Sequence, residues 1–178
     1  MTRQELAKAI HDTSHLTGKF VLRSGKISHE YFDKYLFESD PKLLSEIAEH
    51  MLSLLPDNFD IIAGLEMGGI PLATMISQKC KRPAIFVRKK PKLYGTRKLA
   101  EGIDFEGKNL VVVEDVITSG GQVIISSNDL KQRGANIVRV ICVIDRQATG
   151  RRNLKESGYD LHSLFTMSEI KEMTTKPH

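Results

Sequence analysis

The stretch Val111-Val112-Val113-Glu114-Asp115-Val116-Ile117-Thr118-Ser119-Gly120-Gly121 constrains the fold more than any other part of the chain. Its β-branched apolar run reads as a strand buried on both faces, of the kind found inside a parallel sheet. Two carboxylates follow where that strand is expected to end, and then a small turn rich in hydroxyls and glycine. From Gln122 the pattern turns helical, with Val123, Ile124 and Leu130 as apolar positions and Gly134 as the stop. A strand, a glycine-rich turn and a helix start together make an anion site, because backbone N–H groups converge there and the helix dipole favours negative charge. Glu114 and Asp115 would repel that anion, so they suit hydroxyl groups or a hydrated Mg²⁺. Acids beside a phosphate cradle point to a ligand that is both sugar and phosphate.

Other phosphate-binding patterns are missing. No G-x-x-x-x-G-K-[ST] occurs and no G-x-G-x-x-G follows a strand, which removes the main support for nucleoside triphosphatase and dinucleotide readings. At 178 residues, with 40% hydrophobic and 27% charged residues, the chain fits one domain, 1–178, with a real core. No apolar stretch is long enough to cross a bilayer, and the polar N-terminus lacks a secretory apolar core, so the cytoplasm is the expected compartment and no membrane partner is expected. Cys80 and Cys142 are too few for a disulfide framework and read as small core residues. His11 and His15 have helical spacing but no third ligand candidate, so a surface pair is the better reading than zinc. The net charge is only +4. Its distribution matters more: Arg88, Lys89, Lys90, Lys92, Arg97 and Lys98 crowd into one segment with no acid among them. A basic run of this kind is usually a solvated face or a nucleic-acid patch. Placed after a strand and near the phosphate cradle, it fits a polyanionic diphosphate better than nucleic acid.

Elsewhere the pattern alternates. Thr2 and Glu5 form a capping box before a short helix with Leu6, Ala7 and Ile10. Phe20-Val21-Leu22 and Tyr31-Phe32 are brief strands around a turn from Arg23 to Ser28. Asp40-Pro41 caps a helix with Leu44, Ile47, Ala48, Met51 and Leu55 on one stripe, ended by Pro56. Asp60 to Gly64 is a strand, Pro71 to Lys79 a helix, Ala84 to Val87 a strand, Lys89 to Gly102 a long loop. The valine-rich strand and its helix follow, then a strand through Val138 to Ile144. Strands alternating with helices predict a parallel sheet with right-handed crossovers, and ligands there bind beyond the carboxyl ends of the strands. The loops at Glu66–Gly69, Lys89–Gly95, Glu114–Gly121 and Asp145-Arg146 should therefore share one rim.

The Glu114-to-Gly121 signature resembles that of the type I phosphoribosyltransferases, which bind 5-phosphoribosyl-1-diphosphate (PRPP). The resemblance implies an α/β, type I phosphoribosyltransferase fold: a central, mainly parallel sheet flanked by helices. Residues 1 to about 40, with the C-terminal segment, would form a small hood over the rim. It implies that Glu114 and Asp115 meet the ribose hydroxyls and that Thr118 to Gly121 hold the 5-phosphate. Three further stretches resemble the orotate-using branch of that family: Phe20 to Phe32, the basic loop Phe86 to Gly95, and Asp145-Arg146-Gln147.

That branch implies transfer of a phosphoribosyl group from PRPP to orotate. Lys92 and Asp115 are the expected catalytic residues. Arg88, Lys89, Lys92, Tyr94, Glu114, Asp115, Val116, Ile117, Thr118, Ser119, Gly120, Gly121 and Gln122 are expected on PRPP. Orotate is a flat acid, so Arg146 suits its carboxylate as a planar fork, Tyr31 and Phe32 supply a wall, and Thr118 and Lys26 polar contacts. Mg²⁺ would travel on the diphosphate, without metal-ligating side chains. The family's loop reaches a neighbouring subunit's site, which implies a homodimer. Two departures stand out: Tyr94 replaces a histidine common in the family, and Met67-Gly68 replaces a Tyr-Lys found in some members. The rival readings are a transferase for a neutral base, which needs no carboxylate clamp, and a PRPP-sensing regulator, which needs no basic catalytic loop.

Overall fold

A computed structural model describes residues 1–22, 25–90 and 99–175. Six strands form the central sheet in the order β5-β4-β3-β6-β7-β8. These are β3 (Ile61–Leu65), β4 (Ala84–Val87), β5 (Ala100–Glu101), β6 (Asn109–Ile117), β7 (Asn136–Asp145) and β8 (Leu161–Thr166). All neighbours pair in parallel except β5, which runs antiparallel to β4. β5 lies inside the stretch expected as one long loop from Lys89 to Gly102.

The valine run explains the central position of β6. Successive side chains on a strand point to opposite faces. Val111 and Val113 therefore enter one core with Ile62 and Leu72, while Leu110 and Val112 enter the other with Ile61 and Leu130. Val111, Val112 and Val113 are all fully buried, and burying such a side chain contributes on the order of 1.5–3 kcal/mol. The first core is closed by α1 (Arg3–Ser14), α3 (Pro41–Met51), α4 (Gly69–Cys80) and α7 (Met167–Thr175); the second by α5 (Gly121–Gln132) and α6 (Gly150–Glu156). α6, β8 and α7 had no counterpart in the sequence reading.

Local signals set the helix starts. Thr2 and Glu5 form the reciprocal cap of α1, and the Asp40 carboxylate accepts the Leu43 N–H at 2.8 Å at the start of α3. On α3 the buried stripe is Leu43, Ile47, Ala48 and Met51. Leu43 joins the expected stripe as a fully packed member, Leu44 packs half-buried against the same core, and Leu55 reaches it from beyond a 3₁₀ turn, Leu52–Leu54. The N-terminal strands are longer than expected: β1 (His15–Val21) and β2 (Ile27–Phe32) form a separate antiparallel hairpin. A six-residue helix, α2 (Lys34–Ser39), follows the hairpin. The two chain ends meet where Arg3 donates to the Leu164 carbonyl at 2.8 Å and to Glu169 at 3.0 Å.

Candidate active site

β6 runs on through Ile117. Glu114 and Asp115 are therefore its last residues but two, and they do not lie past its end as the sequence reading had them. Alternation then sends them apart. Glu114 is on the wall of a cavity of about 280 Å³, together with Glu66, Met67, Lys89, Val116 and the turn from Ile117 to Val123. Asp115 points the other way and is fully buried.

The turn itself is held from outside. Gly150 N–H donates to the Thr118 carbonyl at 2.9 Å, and the Asn153 amide donates to the Ser119 carbonyl at 2.9 Å. Gly120 adopts φ +73°, and no side chain caps the helix it begins. A glycine relieves the steric penalty at that left-handed position. With no capping side chain, the first N–H groups of α5 are left for an anion, at the positive end of the helix dipole.

Behind the acids stands a group the sequence reading missed. α2 brings Lys34 Nζ to 2.6 Å from Asp115 Oδ2. One turn later the same helix brings Glu38, which is 8% exposed and sets its Oε1 beside the Asp115 carboxyl. Asp115 Oδ1 also accepts the Val116 N–H, and Glu114 Oε1 accepts the Asp115 N–H at 3.0 Å. Burial, then the charge of Asp115, pushes the Glu114 carboxyl well above the usual carboxylate range. Burial pulls the Lys34 ammonium down, but its hydrogen bond and attraction to Asp115 outweigh that and raise it.

A second cavity of about 200 Å³ adjoins the first and is lined by Tyr31, Phe32, Asp33, Lys34, Tyr35, Val116, Thr118 and Arg146. Lys34, Tyr35, Val116 and Thr118 face both spaces. Arg146 is exposed, and its guanidinium has no ion pair among the described residues. Its backbone is fixed nonetheless. Arg146 N–H donates to the Ile117 carbonyl at 2.9 Å. On one flank, buried Asp145 accepts the Gln147 N–H at 2.8 Å and Arg151 Nε at 3.0 Å. On the other, Gln147 Oε1 accepts from the Ser168 N–H and hydroxyl at 2.9 and 2.6 Å. Phe32 packs toward Phe37 with ring centroids 6.4 Å apart, and Tyr31 toward Phe20 at 5.4 Å. Lys26 is exposed beside the hairpin turn and lines neither cavity.

Of the basic segment, Lys89 reaches the first cavity, and its N–H donates to Glu66 Oε1 at 2.5 Å. Arg88 turns to Glu101, Nε to Oε1 3.2 Å. Lys92 and Tyr94 lie outside the described residues. Among the described residues no group of three or more histidine, cysteine or acidic side chains could hold a metal ion, and no helix is long and apolar enough to cross a membrane.

The geometry defines a class: an α/β protein with an uncapped helix start and the Glu114 carboxyl at one end of a split cavity, and an exposed arginine at the other. A phosphoribosyl transferase domain profile matches residues 38–162, and the chain belongs to the phosphoribosyltransferase family, in its orotate phosphoribosyltransferase branch. It is 48% identical over 165 residues to the orotate phosphoribosyltransferase of Nocardioides sp., covering 93% of this chain and 92% of that one. Over 95% of this chain and 98% of the other, it superposes on the Mycobacterium tuberculosis H37Rv orotate phosphoribosyltransferase solved in complex with inorganic phosphate, TM-score 0.85 and 27% identity. The same enzyme in complex with 5-phospho-α-D-ribosyl 1-diphosphate aligns over 95% of this chain and 98% of that one, TM-score 0.81 and 26% identity.

Proposed function

We propose that this chain transfers the 5-phosphoribosyl group of PRPP to orotate, giving orotidine 5-phosphate and diphosphate in pyrimidine nucleotide synthesis. The observation that carries the reading is the shared wall: one cavity ends in an uncapped helix start, the next in an exposed arginine, and Thr118 faces both. The α5 N-terminus takes the 5-phosphate, and Glu114 meets the ribose. Arg146 takes the orotate carboxylate as a planar fork, against Tyr31 and Phe32. Holding both substrates across one wall turns a bimolecular displacement into an oriented one.

At C1 the bond to diphosphate breaks and the bond to the pyrimidine nitrogen forms. Positive charge develops on the sugar and negative charge on the leaving group. Asp115, behind Glu114, offsets the first, and Lys89 with Lys92 offsets the second. Mg²⁺ fits this wall as a passenger. The cavity offers amides and the two acids Glu66 and Glu114, and no oxygen cage among the described residues, so diphosphate oxygens and water would hold the ion, and it would neutralise the leaving charge. The same reading makes the enzyme a cytoplasmic homodimer with shared sites.

The test is absorbance-monitored consumption of orotate with PRPP and Mg²⁺, run beside uracil, hypoxanthine and adenine. Consumption of orotate alone is expected. Turnover of only a neutral base would overturn the assignment.

A further inference from the structure

Gly68, at the start of α4, marks an unusual volume. A Cβ placed there would overlap Asp115 Oδ2 and meet Glu38 Oε1 at 2.7 Å. Two carboxyl oxygens thus occupy the space that any side chain at position 68 would need. Their residues are 0% and 8% exposed. The Lys34 ammonium lies 2.6 Å from Asp115 Oδ2, and neither oxygen receives a hydrogen bond from any other group among the described residues.

Two ionised carboxylates cannot face each other at contact in a dry site, so the pair holds a proton. The surroundings decide which residue carries it. Asp115 has the Lys34 ammonium on Oδ2 and the Val116 N–H on Oδ1, both of which favour its charge. Glu38 Oε1 has neither a cation nor an amide. Of the other charged groups near Glu38, Glu114 on β6 opposes its ionisation; Lys34 on its own helix favours it, but burial and the charge of Asp115, to which Lys34 is paired, outweigh that pull. The buried faces of α1 and α3, which pack on α2, bring only apolar side chains and Ser14.

We propose that Glu38 is a positioning residue that stays protonated and donates its carboxyl O–H to Asp115, locking that carboxylate between α2 and β6 behind the ribose. The role rests on the PRPP reading above. Lys34, Asp115 and neutral Glu38 then sum to no net charge next to the site for a polyanion. Burial first, then the hydrogen bond and charge of Asp115, push the Glu38 carboxyl up to about 9, so the proton is retained through the neutral range. Losing it would add an unpaired negative charge beside the donor cavity.

The experiment follows PRPP binding by calorimetry across pH for the wild type, Glu38→Gln and Glu38→Leu, with carboxyl ¹³C NMR of the first two. The amide of glutamine still donates to Asp115 but cannot ionise. Glu38→Gln should bind PRPP within about twofold of wild type near neutral pH and lose the weakening that wild type shows as pH passes about 9. Glu38→Leu, which removes the donor, should weaken PRPP roughly tenfold at neutral pH. The carboxyl resonance absent from Glu38→Gln should be that of a neutral acid at pH 7. An alkaline limb identical in wild type and Glu38→Gln, or a Glu38 resonance titrating in the ordinary range, would overturn the proposal. None of these readouts uses orotate, so failure of the orotate assignment is told apart from failure of the proton-holding pair; absence of PRPP binding by all three proteins would sink the donor-site reading itself.

Discussion

The Arg151 guanidinium lies 3.0 Å from the buried carboxylate of Asp145 and, through a second nitrogen, 2.8 Å from the Leu161 carbonyl. Its Asp145 stands directly before Arg146 in sequence, and the clamp fixes the turn that presents it. Arg151→Leu should raise the Michaelis constant for orotate several-fold while PRPP affinity holds. It should also cost about 1–3 kcal/mol in urea unfolding, since it strips a partner from a buried carboxylate. An unchanged orotate constant would disconnect the clamp from the acceptor site.

Arg146→Ala removes the fork itself. Truncating one side of a hydrogen-bonded charge pair typically costs about 2–5 kcal/mol, so orotate binding should fall at least tenfold with PRPP binding near normal. Equal loss of both would make the residue structural.

Lys92→Ala is expected to lower kcat more than PRPP affinity, because charge on the leaving group grows only in the transition state. Steady-state kinetics with PRPP varied checks this, and unchanged kcat removes the lysine from the mechanism.

Gly68→Ala should be poorly tolerated, since its methyl would strike the Asp115 and Glu38 carboxyls. Overpacking of this kind costs about 1–3 kcal/mol. In the double variant with Glu38→Ala one of the two clashes is removed and the Asp115 carboxyl gains room to turn aside, so the two stability losses should be less than additive when measured by urea unfolding. Strict additivity would show that the methyl is accommodated elsewhere.

Stability should depend on pH through the same pair. Glu38 is raised in the folded state from the ordinary 4.5 to about 9, so the folded protein holds a proton that the unfolded chain releases between those values. Its stabilising contribution is complete below 4.5 and is lost as pH rises toward 9. One such proton gives a limiting slope of about 1.4 kcal/mol per pH unit. Relative to Glu38→Gln, wild type should therefore lose stability between pH 5 and pH 9 in chemical unfolding. Parallel curves would show that Glu38 titrates alike in both states.

Much of the frame was legible because its causes are local. The valines of β6, the caps at Thr2 and Asp40, and the glycine turn at 120 each act within a few residues, and the structure places a strand, two helix starts and an uncapped helix there. The end of β6 was misplaced because charged residues read as a boundary, whereas Asp115 is buried by an ion pair with a residue far off in sequence. That distance also hid Lys34 and Glu38: nothing between Asp33 and Asp40 announces that one face of a six-residue helix will meet β6. The strand β8 is half-buried at several positions and sits at the sheet edge, so its weak apolar pattern gave no signal to read.

The division of labour along the shared wall has an evolutionary corollary. On the proposed function, the donor half of the pocket draws mainly on the ends of β3 and β6 and the start of α5, and the acceptor half adds the hairpin and the turn after β7. Drift in the latter can retune which nitrogenous base is accepted without rebuilding the apparatus for the activated sugar. A lineage of enzymes on this scaffold is thereby free to diversify one half at a time.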